Sequence, residues 1–164
     1  MKLGLANKAK LERLRFLRRV VEKEIVHLNY SAKKVFDQPF TYKRAVSLEK
    51  DAELAEQVEA FSSRFCRLQD TIGDKLLPAW LDVLGENPKI AIENLDKAEK
   101  IGVLSSVELW LELRQLRNQM VHEYIEDLSV LADALQTSFE NLEFIVGVGN
   151  AIVSDLEKRG LTVS

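Results

Sequence analysis

The run from Leu116 to Tyr124 gathers the residue types in this chain that are most able to do chemistry. On an ideal helix, Asn118 and His122 fall in one sector of about 80°, opposite the apolar stripe. Arg117 falls in a mostly apolar sector, where a buried guanidinium needs a partner. Arg117 and His122 are separated by about 140°, so both reach one phosphate only through the length of arginine, a distorted helix or a second subunit.

A simpler interpretation of this run is a surface patch. Arg114 and Leu111 share the sector of Asn118 and His122, and an apolar Leu111 on a polar face predicts a dimer contact. The other histidine, His27, lies between two aliphatic residues and is expected to be partly buried or at the surface. Spacing alone favours the surface patch.

Other signals of catalysis or cofactor binding are scarce in the sequence. It has no glycine-rich phosphate loop and no His-x-x-x-His pair, and Cys66 is the only cysteine. We therefore predict no metal site, no cofactor and no intramolecular disulfide, and expect a reducing, cytoplasmic location. The apolar runs are too short for a membrane span.

Charge is distributed unevenly along the chain. Residues 1–44 hold 12 Lys and Arg against 4 Asp and Glu, whereas residues 45–164 hold 11 against 22. A basic end can steer a nucleic acid by neutralising phosphates. Charge patterning alone favours the alternative of a solvated helix face that complements an acidic neighbour.

Apolar residues recur at steps of three and four along nearly the whole chain, which indicates helices. The pattern predicts a first helix over about 6–35 and a second over about 47–84, which Pro78 can kink. The sequence Gly-Glu-Asn-Pro at 85–88 predicts a stop, with Asn as the cap of a short third helix that runs to about Lys100.

The remaining boundaries follow from capping signals. Ser105, with Glu108 three residues later, predicts the capping box of a fourth helix that ends near Tyr124. Asp127 predicts the cap of a last helix that ends before Gly160. Such amphipathic helices predict an all-α fold, an up-and-down bundle of four long helices plus one short helix in a single domain over 1–164.

The run Arg117-Asn118-Gln119-Met120-Val121-His122-Glu123-Tyr124 resembles the Arg-x4-His-x-Tyr motif of HepT toxins, within the HEPN superfamily. The motif falls on the penultimate long helix, where that family carries it. The segment from Arg64 to Leu77 also resembles the second long helix of HepT-like proteins. The resemblance covers roughly residues 45–145.

The resemblance implies metal-independent cleavage of RNA. His122 would act as general acid and base for attack of the ribose 2′-hydroxyl on the neighbouring phosphate, a role that suits imidazole. Arg117 would bind the phosphate and stabilise the charge of the transition state. Asn118 would orient the phosphate or the histidine, with Arg114 as a supporting residue.

The resemblance also implies partners. HepT-like proteins are similar to other HEPN nucleases in working as homodimers with two motif copies facing a shared cleft. They are paired with an MNT-type nucleotidyltransferase antitoxin that can attach AMP to the tyrosine at the position of Tyr124. Added phosphate charge there would repel RNA. Two alternatives stay open: a non-catalytic HEPN subunit that binds a nucleotidyltransferase or nucleotide, and a purely structural bundle in which Tyr124 caps the core.

Overall fold

The computed structural model describes the backbone of residues 5–161 and the side chains of residues 7–122 and 126–161. Over this range the chain forms helices joined by short connections, without a strand. None of the described helices is long and apolar enough to cross a membrane. In chain order the helices are α1 (Leu5–Val35), α2 (Tyr42–Ser47), α3 (Ala52–Asp70), a π-helical turn (Thr71–Leu76), α4 (Leu77–Val83), α5 (Ala91–Ile101), α6 (Val107–Glu126), α7 (Leu128–Glu140) and α8 (Leu142–Lys158).

The first helix, α1, is built on an apolar stripe at steps of three and four, as the sequence predicts. The stripe is almost fully buried, and the helix packs chiefly against α3 and α4. Full burial of one such side chain contributes about 1.5–3 kcal/mol. The buried members are Leu11, Leu14, Leu17, Val21 and Leu28.

One continuous helical stretch, from α3 through the π turn into α4, corresponds to the predicted second helix. It begins at Ala52 because the carboxylate of Asp51 accepts the N–H of Leu54 at 3.0 Å and caps α3. The π turn lies directly before Pro78, and Leu77 N–H donates to the carbonyl of Ile72, five residues earlier. Proline crowds the carbonyl four residues back and lacks an N–H, so the wider turn accommodates it.

The predicted third helix corresponds to α5. It begins at Ala91, so the predicted cap at Asn87 is wrong. Ile90 is extended, and the side chain of Asn94 accepts the N–H of Lys89 at 2.8 Å and donates to its carbonyl at 3.2 Å. This local bond holds the preceding loop outside the helix. The predicted end is confirmed, because Gly102 adopts the left-handed conformation at φ 102° that terminates helices.

The start of α6 differs by one residue from the predicted capping box. The hydroxyl of Ser106, rather than that of Ser105, accepts the N–H of Leu109 at 3.0 Å. The first N–H of the helix, on Val107, donates to the carboxylate of Glu99 at 2.8 Å. Glu99, near the end of α5, therefore supplies a carboxylate cap that the capping-box pattern does not predict.

Two helices, α7 and α8, replace the single last helix that the sequence predicts. Asp127 caps α7 as predicted, accepting N–H groups from Val130 and Ser129, and these bonds lower the pKa of its carboxyl. The chain then breaks at Asn141, which has φ −108° and ψ 12° and donates its side-chain amide to the carbonyl of Thr137 at 2.9 Å. Apolar residues continue at helical spacing on both sides of Asn141, so the spacing does not predict the break.

The contact that sets α6 against the π turn is made by Trp110 and Gly73. Trp110 is buried, and a Cβ on Gly73 would lie only 3.0 Å from its indole ring. The buried amide of Gln69 donates to the carbonyl of Trp110 at 2.9 Å. The all-α bundle is thus confirmed, with more and shorter helices than predicted, and this contact fixes how α6 faces α3.

Candidate functional site

Two arginines of α6 converge on one carboxylate of α3. Nη1 of Arg117 lies 2.7 Å from Oδ2 of Asp70, and Nη1 of Arg114 lies 3.0 Å from Oδ1. Arg114 also approaches the carboxylate of Asp74, in the π turn, at 3.6 Å. Because residues three or four apart share a helix face, the two arginines face the two aspartates across the contact between α3 and α6.

These ion pairs remain open to water. The side chain of Arg117 is 47% exposed and that of Asp70 is 32% exposed. Pairs at such exposure are worth about 0–1 kcal/mol each, so they contribute little to stability. The hydrogen bond and charge of Asp70 raise the pKa of Arg117, which therefore stays cationic. Asp70 fixes where this guanidinium points.

Arg117 lies on the wall of a groove of about 890 Å³ between α3, the π turn and α6, which we call the α3–α6 groove. Its lining combines cationic, acidic and hydroxyl side chains with an apolar wall, a composition that suits an anionic ligand carrying an apolar part. The lining residues are Val58, Glu59, Ser62, Ser63, Cys66, Arg67, Asp70, Thr71, Asp74, Lys75, Arg117, Met120 and Val121.

Besides Thr71, the buried polar groups of the groove are Ser62 and Cys66, one helical turn apart on α3 and each 7% exposed. The hydroxyl of Ser62 has no hydrogen-bond partner among the described residues. Burial raises the pKa of the Cys66 thiol, against a weaker opposing effect of Arg117. Since the thiolate is the nucleophilic form, this raised pKa makes Cys66 a poor nucleophile.

The π turn also connects the groove to α1. The hydroxyl of Thr71 donates to the carboxylate of Glu24 at 3.0 Å. Burial raises the pKa of Glu24, opposed by this hydrogen bond and by the charge of Arg67. Glu24, His27, Arg64 and Arg67 line a smaller cavity of about 240 Å³, and Arg67 belongs to both cavities. Irregular turns of this kind occur frequently at functional sites.

The structure places the predicted site residues in different environments. Arg117 lines the groove, whereas Asn118 and His122 are exposed on α6 and are not part of the lining. Arg114 forms ion pairs with Asp70 and Asp74. Within one chain, Arg117 and His122 are therefore not brought into a common pocket. Tyr124 falls in α6, but its side chain lies outside the described residues.

The expectation that Leu111 lies on a polar face is wrong. Leu111 is partly buried and packs against the core of its own chain. The ideal-helix sector contained three polar residues, but one of them, Arg114, faces Asp70 and Asp74 of the neighbouring helical stretch rather than open solvent. Leu111 consequently needs no second subunit to shield it.

The residue that sequence reasoning missed is Asp70. The segment that contains it stood out only by resemblance, and no role was assigned to its carboxylates. The available signal was complementary spacing, since two acidic residues four apart and two arginines three apart each form a one-face pair. That signal does not specify which helices meet, so the pairing needs the fold.

The described geometry amounts to a groove at the α3–α6 contact, lined by three cationic and three acidic side chains, with an exposed imidazole farther along α6. An arginine held by a carboxylate can bind a phosphate at this position, and an exposed histidine can transfer protons to a ligand that reaches it. No protein-family model, no curated protein and no solved structure matches this chain.

Proposed function

We propose that this chain is a HepT-like toxin of the HEPN class, a metal-independent endoribonuclease. The Arg-x4-His-x-Tyr pattern supports the assignment. One structural observation carries it: α6 exposes Arg117, Asn118 and His122 to solvent beside a groove that also contains Arg67 and Lys75. Phosphate-binding cations next to an accessible proton-transfer group are the minimum that RNA cleavage requires.

The proposed reaction is an internal transesterification. An imidazole of His122 accepts the proton of the ribose 2′-hydroxyl, the 2′ oxygen bonds to phosphorus, and the bond from phosphorus to the 5′ oxygen breaks. The departing 5′ oxygen takes a proton from a general acid, leaving a 2′,3′-cyclic phosphate and a 5′-hydroxyl. Arg117 binds the phosphate oxygens and stabilises the charge that develops on them, while Asn118 orients the phosphate.

The proposed active unit is a homodimer. Arg117 lines the groove of its own chain and His122 does not, and the ideal separation around the helix is about 140°. A second protomer that presents its α6 across the groove supplies the missing imidazole. Two-fold symmetry then creates two equivalent composite sites.

The proposed partner is an MNT-type nucleotidyltransferase that acts as the antitoxin in the cytoplasm. It would attach AMP to Tyr124, two residues beyond His122. The added phosphate would repel the RNA backbone from the same end of α6. Mass spectrometry of the protein co-expressed with its antitoxin would detect the added AMP on Tyr124.

Substitution of His122 tests whether the protein cleaves RNA as proposed. The chain has only two histidines, His27 and His122, and both are exposed. With a labelled RNA and excess chelator, His122→Ala should slow cleavage by about 10²- to 10⁴-fold. Gln115→Ala, an exposed change on the same helix outside the groove lining, is the matched control and should cleave at nearly the wild-type rate. Equal rates for both variants, or no cleavage by the wild type, would refute the assignment.

A second candidate is a non-catalytic HEPN subunit that binds a nucleotidyltransferase or a nucleotide. The observation in its favour is that His122 lies outside the groove of its own chain. This candidate predicts a stable complex with the transferase that survives His122→Ala, together with no cleavage of RNA by either protein. Arg117→Gln would weaken the complex if the groove is the binding surface.

A further inference from the structure

A cationic surface lies on the solvent face of α1, outside the groove. Seven residues recur there at steps of three and four, so they share an arc of about 120° over a length of about 32 Å. All seven are exposed; four are Lys or Arg, one is His and two are aromatic. We call this surface the basic–aromatic stripe, and it consists of Arg13, Phe16, Arg19, Lys23, His27, Tyr30 and Lys34.

Each aromatic ring of the stripe is accompanied by a cation. The guanidinium of Arg13 lies 5.8 Å from the ring centroid of Phe16, and the ammonium of Lys34 lies 5.6 Å from that of Tyr30. The rings nevertheless remain 48% and 61% exposed. A planar group stacked on either ring would therefore have a positive charge beside it.

The positive charge of the stripe is not neutralised within the described part of the chain. The neighbouring arginines Arg15 and Arg18 pair with Glu12 and Glu22, at 3.2 and 2.9 Å. No stripe residue forms an ion pair with a described side chain. Glu24, the other acidic residue of this part of α1, is bound by Thr71 and faces the smaller cavity. The stripe is thus an uncompensated cationic track.

The stripe is continuous with the α3–α6 groove. Arg64 of α3 donates to the backbone carbonyl of His27 at 3.1 Å and to the hydroxyl of Ser31 at 2.6 Å. Together with Arg67 it lines the smaller cavity beside His27, and Arg67 also lines the groove that contains Arg117. Arg64 and Arg67 therefore connect the stripe, at His27, with the groove.

We propose that the basic–aromatic stripe binds single-stranded RNA and directs it across Arg64 and Arg67 into the groove. Exposed rings stack on unpaired bases, which a duplex does not offer, and the cations beside them neutralise phosphates. A lipid surface fits less well, because α1 buries its continuous apolar face in the core and its exposed large apolar residues within the described range are only Phe16, Val26 and Tyr30. The choice of RNA as occupant rests on the proposed function.

Binding is measured separately from cleavage. In a His122→Ala background, fluorescence anisotropy with a labelled, unstructured oligoribonucleotide reports affinity alone. Phe16→Ala and Tyr30→Ala should each weaken binding by about 5- to 150-fold, the usual loss for a stacked base. Arg19→Gln with Lys23→Gln should reduce the slope of log affinity against log salt by about 1.4.

Matched controls lie away from the stripe. Tyr42 on α2 is 60% exposed, and Tyr42→Ala removes an equally exposed ring. Lys89→Gln with Lys100→Gln removes two exposed charges near α5. Both controls should bind RNA as the parent does. Stripe variants that bind like these controls would overturn the proposal, as would equally tight binding of a duplex of the same sequence or a preference for phosphatidylglycerol vesicles.

The two proposals fail in different ways. Wild-type protein that binds RNA through Phe16 and Tyr30 but cuts nothing would remove the nuclease and leave the stripe standing. Wild-type cleavage that is insensitive to Phe16→Ala and Tyr30→Ala, even at limiting RNA, would leave the nuclease and remove the stripe.

Discussion

Arg117 donates to Asp70 at 2.7 Å, so the phosphate-binding residue of the proposed site is already engaged by a carboxylate of its own chain. The same carboxylate takes a second arginine, Arg114, at 3.0 Å. Arg114 also lies 3.6 Å from the carboxylate of Asp74, so two arginines face two aspartates and their charges balance. A phosphate that enters the groove must compete with Asp70 for the guanidinium of Arg117.

We therefore expect Asp70→Asn to strengthen the binding of RNA to the groove. The variant removes the competing charge and keeps an oxygen that can accept one N–H. Because the partners are partly exposed, unfolding free energy should fall by only about 1 kcal/mol. Anisotropy with labelled RNA and urea denaturation measure the two effects. Asp96→Asn, an exposed charge of α5, is the control. Weaker RNA binding by Asp70→Asn would show that orienting Arg117 matters more than competing for it.

Gly73→Ala should destabilise the protein. Its new methyl group would lie 3.0 Å from the indole of Trp110, which is buried and has little room to move. Overpacking of this kind costs about 1–3 kcal/mol, more than the helix propensity gained. Gly147→Ala is the matched control, since a methyl group there meets nothing within 4 Å and should stabilise α8 by about 0.5–1 kcal/mol. Urea midpoints that shift in the same direction for both variants would contradict this packing.

Glu24 should make stability decrease as the pH rises. Burial raises the pKa of its carboxyl, so the folded chain holds a proton that the unfolded chain releases first. This contribution of Glu24 to the free energy of unfolding is complete at pH values below the pKa of the unfolded chain, about 4.3. It is lost as the pH rises through the pKa of the folded chain. Glu24→Gln should therefore gain stability relative to wild type between acid and neutral pH, measured by urea unfolding. Glu56→Gln, an exposed change on α3, should give a constant difference.

Cys66 should react slowly with iodoacetamide. Burial raises the pKa of its thiol and limits access, while the charge of Arg117 partly opposes that increase. We expect alkylation slower than that of the urea-unfolded chain, slower still in Arg117→Gln, and further reduced by saturating RNA in the groove. Because Cys66 is the only cysteine, the mass of the intact protein reports the reaction. Absence of protection by saturating RNA in the wild-type protein would place the RNA elsewhere.

The helices follow from the sequence because their causes are local. Apolar spacing predicts the buried face of α1, Gly102 predicts the end of α5, and Asp127 predicts the cap of α7. The break at Asn141 was not predicted, and the start of α6 was predicted one residue early. In the first case the apolar pattern continues across the break, and in the second a carboxylate from α5, Glu99, supplies the cap.

The site was predictable only in its residue types. The motif predicts Arg117 and His122 as site residues. The spacing between them places the two side chains on different sides of α6. Which element Arg117 faces depends on how Trp110 packs on Gly73, a contact between residues far apart in the chain. Asp70 enters the site for that reason, and no pattern local to α6 contains it.

Mixing two inactive variants tests whether the site is shared between protomers. If Arg117 of one chain acts with His122 of the other, a dimer of Arg117→Ala and His122→Ala chains contains one intact composite site and one doubly damaged site. Random exchange makes half of the dimers mixed, so activity should recover to roughly one quarter of wild type. Cleavage of labelled RNA after co-refolding measures the recovery. Unmixed variants, and a mixture of His122→Ala with itself under a second tag, should stay inactive. If both residues act within one chain, the mixture recovers nothing, and α6 must then distort to bring its imidazole to the groove.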